Sequence, residues 1–183
     1  MNNTGAKVTE KHVAQALIKV RAMDNARKVQ SVSQIAEQQP ILLSMVLAQR
    51  NFGATFEQIE VLLELLLTCW EAMRESGHSW PKIEEKGQER CLARLAGQLK
   101  FGDGLPYALK SQAIENLTNS HPEKPLLALA LFELQDKGLS NISTETEKFL
   151  AITALGIIEC IAFAHHDHTK PLNAADRPEL AGG

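Results

Sequence analysis

Between Phe149 and Ala164 the chain carries one charged residue, Glu159. Apolar side chains in that stretch fall on every side of a helix, with Leu150, Ile152, Leu155, Ile157, Ile158 and Ile161 covering several faces. Such a helix is stable in water only when neighbours cover most of its circumference. A membrane span is the alternative. These sixteen residues would extend about 24 Å as a helix, short of a hydrocarbon core of about 30 Å. The segment is therefore expected to be the centre of a helical bundle, with Leu155 among its core residues.

The rest of the chain is punctuated for helices as well. Val13, Leu17, Val20 and Met23 repeat at helical spacing over 8–23. Asp24-Asn25 offers a break, and Ser31 with Gln34 reads as a capping pair for a short helix to Gln39. Pro40 can open the next helix, because its missing N–H would have had no partner there, and Gly53 closes it. Thr55 caps a long helix to about Ser76. Further helices are expected over 81–100 and 105–119, from Pro125 to Gly138, and from Ser143 to about His165. No stretch sustains the period-2 alternation of a strand. Aromatics make up only 5% of residues, which is thin for a sheet core.

The second half resembles the first. Pro40 to Gly53 and Pro125 to Gly138 span the same distance. Glu57, Leu62, Leu67 and Glu71 fall opposite Glu145, Leu150, Leu155 and Glu159. The offset grows along the chain, from 78 at Ser33 and Ser111, to 85 at the prolines, to 88 at Glu71 and Glu159. The insertions fall in loops. The fold expected is an all-α multi-helix bundle. It is either one undivided unit over 1–170 or two tandem four-helix units, 8–78 and 81–168, related by internal duplication. Residues 171–183 read as a disordered tail. The two long helices, 55–76 and 143–165, are expected to pack against each other at the centre, and in the duplicated case they occupy equivalent positions.

Net charge is −3, unevenly spread. The first thirty residues hold six basic residues against two acidic ones, so the remainder must carry a deficit of seven. Such an arm either meets an acidic partner or is a solvated helix face. The overall acidic balance argues against nucleic acid. Cys69, Cys91 and Cys160 are odd in number, show no CxxC spacing and lie in apolar stretches. They read as core residues in a reducing compartment, so a cytoplasmic location is expected. Met1 to Asp24 has no uninterrupted apolar run, and no secretory signal is expected.

Chemistry-bearing clusters are few. His165-His166-Asp167-His168 contains metal-ligand types, and His165 and His168 are candidate ligands. Adjacent helical residues point about 100° apart, so one turn cannot aim all four at one ion. No bound metal or other cofactor is expected. Glu75 and His78 have the spacing of a di-iron ligand pair, but the second pair that design needs is missing. No phosphate loop, dinucleotide fingerprint or nucleophile elbow occurs. Glu57, Glu60, Glu64, Thr68, Glu71 and Glu75 form one stripe, which reads as the solvent face of the long helix. Glu159 cannot be read that way. A lone charge in an apolar helix must be exposed, paired or protonated. If the halves are copies, Glu71 and Glu159 would face each other near the pseudo-axis as a candidate ligand-binding pair. The function expected is that of a non-enzymatic helical interaction protein binding another protein or itself, with no membrane partner. The alternative is a ligand- or metal-binding protein or enzyme with an interior carboxylate pocket.

Overall fold

The structure, a computed structural model, describes residues 7–102, 115, 118–139 and 142–163, with 99–102 described in backbone only. The order is α1 (Glu10–Arg21), α2 (Asn25–Gln38), α3 (Pro40–Leu47), a 3-10 turn (Ala48–Phe52), α4 (Phe56–Glu75), α5 (Glu85–Gly102), α6 (Lys124–Asp136) and α7 (Glu145–Phe163). There is no strand among the described residues, and no helix there is long and apolar enough to cross a membrane. The His165 to His168 cluster, the tail and most of the helix expected over 105–119 lie outside the described residues.

Local chemistry explains most boundaries. Thr55 and Gln58 exchange side-chain and backbone hydrogen bonds, a capping box that starts α4. Thr9 and His12 do the same for α1. Thr144 Oγ1 accepts from Glu147 N–H, while the Glu147 carboxylate accepts from Ser143 and Thr144, so α7 begins one residue later than Ser143 suggested. Gly53, at φ 84°, turns the chain out of the 3-10 segment in a conformation that side-chain-bearing residues rarely adopt.

Two further boundaries differ from expectation. Ser31 does not cap a helix. Asp24 accepts from Arg27 N–H seven residues earlier, α2 runs unbroken, and Ser31 is buried within it. Pro81 does not open α5 either. The buried Gln39 side chain donates to Pro81 O at 2.9 Å and accepts from Ile83 N–H at 3.0 Å. That amide satisfies the extended segment, so helix formation waits until Glu85.

α4 and α7 lie against each other at the centre. α1, α2 and α3 pack on α4, whereas α3, α5 and α6 pack on α7. Leu62, Leu66 and Leu67 of α4 and Leu150, Ile157, Ile158 and Ile161 of α7 are almost wholly buried. Leu155 is only partly buried at the edge of that core. Gly156 lets α7 approach closely, since a Cβ there would come within 2.9 Å of Leu92 and 3.0 Å of Met45.

Candidate functional site

Both candidate carboxylates are buried, Glu71 at 1% exposure and Glu159 at 4%. Burial of an ionised carboxylate is costly unless it is paired and hydrogen-bonded, and each is matched by cations of its own. Lys19 Nζ of α1 lies 2.7 Å from Glu71 Oε2, and Arg74 Nη1 lies 3.2 Å from Oε1. The hydrogen bond to Glu71 holds the Lys19 ammonium above its ordinary range, even against the desolvation that opposes it. Lys19 also reaches Glu75, and Lys28 of α2 reaches Glu64, each at 3.1 Å. The upper part of the acidic stripe is thus roofed by the basic helices α1 and α2. Thr68 and Glu71 are buried under that roof, where the helical period alone had placed them in water. Among the described residues, α4 itself is an acidic partner for the basic arm.

Glu159 is held differently. Arg94 Nε of α5 donates to Oε2 at 3.0 Å, and its guanidinium lies over the Phe163 ring. His121 Nε2 is 3.4 Å from Oε1, with the imidazole edge-on to Phe163. His121 Nδ1 accepts the Glu123 N–H at 3.1 Å, so the proton belongs on Nε2, facing the carboxylate. The buried Glu123 carboxylate in turn accepts the N–H groups of Lys7 and Val8, both at 3.1 Å. A polar chain therefore runs from α5 through α7 and the start of α6 to the lead-in of α1. The sequence pattern ends one helix at 119 and opens the next at Pro125, and singles out none of His121, Arg94 and Glu123. The signal available was Glu159 itself, which demanded partners without naming them.

No described contact joins Glu71 to Glu159. Their cations are separate sets, and both ring nitrogens of His121 face partners. Burial pushes the Cys69 thiol up to about 12. The neighbouring Cys91 thiol, together with burial, pushes Cys160 far up. Neither is poised as a thiolate. Among the described residues no group of three or more His, Cys, Asp or Glu side chains could hold a metal ion.

The opening of another kind lies on the surface. α1 and α6 run parallel, because Lys7 and Val8 meet Glu123 at one end while Arg21 meets Glu133 at 4.0 Å at the other. Between them is a half-open groove of about 440 Å³. Its walls are apolar, with Val13, Ala14 and Leu17 on α1 and Ala128, Leu129 and Phe132 on α6. Its polar lining, Glu10, Thr118, Asn119 and Lys124, is gathered at the end where the two helices begin. Phe132 in the apolar wall is 54% exposed.

Comparison with protein-family models, curated proteins and solved structures finds no match to this chain.

Proposed function

We propose that this chain is a non-enzymatic helical interaction protein, an adaptor, regulator or inhibitor, that binds another protein through the groove between α1 and α6. The observation that carries this reading is an apolar surface opening walled by two helices, with the exposed Phe132 in its lining. Contiguous apolar surface of this kind marks interaction sites more often than chance, and an exposed aromatic is a favoured anchor. The alternative, a ligand-binding protein or enzyme, draws on the buried His121–Glu159–Arg94 cluster. The pairing of the Glu159 carboxylate with Arg94 inside this chain counts against it. Nucleic acid is disfavoured because Lys19, Lys28 and Arg21 already face carboxylates of this chain. We also read the two halves as copies. Supporting that are α3 and α6, which both carry proline in the first turn, and the glycines that follow them, both at positive φ.

The test is a photo-crosslinking residue placed at Phe132 and, as control, at exposed Glu60. Illumination in cells should give a discrete protein adduct from position 132 and none from position 60. Equal labelling at both positions, or none at 132, would refute the reading. A melting-temperature rise with a metabolite, lost on Glu159→Gln, would favour the alternative.

A further inference from the structure

We propose that Cys91 of α5 and Cys160 of α7 are a peroxide-reactive dithiol, in which Cys91 is the nucleophile and Cys160 the thiol that closes a reversible disulfide. The site is separate from the groove and does not depend on it. Cys91 Sγ lies 3.7 Å from Glu159 O, against the α7 backbone one residue before Cys160. The Cys160 thiol is hydrogen-bonded to Cys91. A disulfide needs two backbones close together. Gly156 supplies that approach. It lies one turn before Cys160 on the same face of α7, and Leu92, next to Cys91, fills the space where its Cβ would stand. The third cysteine, Cys69, is fully buried on α4, and no described contact joins it to another thiol.

Burial ordinarily leaves a cysteine inert, and two features set Cys91 apart. Arg94, one turn further on the same face of α5, lays Nη2 3.9 Å from the Cys91 sulfur, while its Nε serves Glu159. A guanidinium beside a thiol favours the thiolate. The Cys160 thiol, pushed far up, keeps its proton and donates it toward Cys91, so the charge settles on Cys91. Cys91 is 5% exposed and Cys69 0%. An opening that narrow suits hydrogen peroxide, which is little larger than water, and excludes bulky disulfides.

The chemistry closes without a further reactant. The Cys91 thiolate attacks one oxygen of hydrogen peroxide. The O–O bond breaks, the sulfur keeps a hydroxyl as sulfenic acid, and the departing hydroxide takes the proton that Cys91 released and leaves as water. Cys160 sulfur then attacks the sulfenic sulfur. The S–S bond forms, the S–O bond breaks, and hydroxide leaves with the Cys160 proton as a second water. Peroxide gains the two electrons that the thiols lose. The bond fastens α5 to the central helix on which it packs, and a dithiol reductant reverses it.

The experiment treats the full reduced chain with a small excess of hydrogen peroxide under native conditions, alkylates the remaining thiols and maps the peptides by mass spectrometry. Free thiols should fall from three to one. The Cys91 and Cys160 peptides should be joined within one chain, with Cys69 still free, and dithiothreitol should restore every thiol. Cys91 should react at least about tenfold faster than Cys69. In Cys160→Ala a dimedone adduct should build up on Cys91, because nothing resolves the sulfenic acid. Cys91→Ala should leave Cys160 reduced. Should either variant fail to fold, mapping of the natural chain carries the test alone. The proposal is overturned if no thiol is lost, or if Cys69 is oxidised as fast as Cys91, as reaction through the unfolded chain would give. It is overturned too if Cys91 passes to the sulfinic acid without joining Cys160, or if the bond links two chains.

Discussion

Glu71 and Glu159 are the same residue type, each buried on one of the two central helices, yet the fold neutralises them in opposite ways. Glu71 lies under the rim of the bundle. Its cations are long and half in water, Lys19 at 43% and Arg74 at 50% side-chain exposure. Glu159 is no more buried itself, but its partners are less exposed, a histidine at 2% and Arg94 at 36%, with Phe163 against both. The first arrangement resembles a surface ion pair with one end sunk, in which either cation can cover for the other. The second is a buried set with one permanent cation. The number and exposure of the partners therefore decide how much each one matters: losing the sole cation of a buried carboxylate strands a charge, whereas losing one of two exposed cations does not.

The largest expected effect tests that difference directly. Arg94→Met should cost about 3 kcal/mol in urea unfolding, because Glu159 is left with a neutral imidazole. Adding Glu159→Met should recover much of the loss, since an apolar pair needs no counter-charge. A double variant as unstable as the single one would mean that Arg94 acts through its packing on Phe163 instead. Lys19→Met should cost only about 1 kcal/mol, with Arg74 still in place. If it matched Arg94→Met, the contrast between the two clusters would be false.

Alkali should separate the two clusters with a smaller signal. The folded-state pKa of Lys19 is raised above its ordinary 10.5. Its contribution is complete below that value and disappears as pH climbs through the raised one. The stability gap between the natural chain and Lys19→Met should therefore close above pH 10.5, while the gap for Arg94→Met persists, since arginine stays charged. The smallest effect belongs to Glu60→Ala, on the exposed end of the stripe. It should change stability by less than about 0.5 kcal/mol, and a larger loss would show that the stripe is covered there too.

The positions at which local chemistry acts were readable in the sequence. Thr55, Pro40, Gly53 and Pro125 mark helix ends because capping, ring closure and positive φ depend on a residue and its immediate neighbours. Ser31 and Pro81 were misread for a related reason. Each is a fair start signal, but Asp24 had already nucleated α2, and a glutamine forty-two residues away supplied hydrogen bonds to the segment at Pro81. Leu155 was taken for core because α7 is apolar all round, and periodicity cannot rank depths on such a helix. Ile158 lies deeper, at 0% exposure.

The sequence by itself determined that the chain is helical, that its last long helix must be enclosed, and that Glu159 must find a partner. These follow from hydrophobic periodicity and from the cost of burying charge, both of which are properties of a segment. Only the tertiary structure decided that the partner is Arg94 with His121, that α1 and α2 cover the acidic stripe of α4, and that α1 and α6 run side by side with a groove between them. Those outcomes depend on which faces of separate helices meet, and that is set by packing the whole bundle at once. The period of a single helix says which residues share a face but not what lies opposite it.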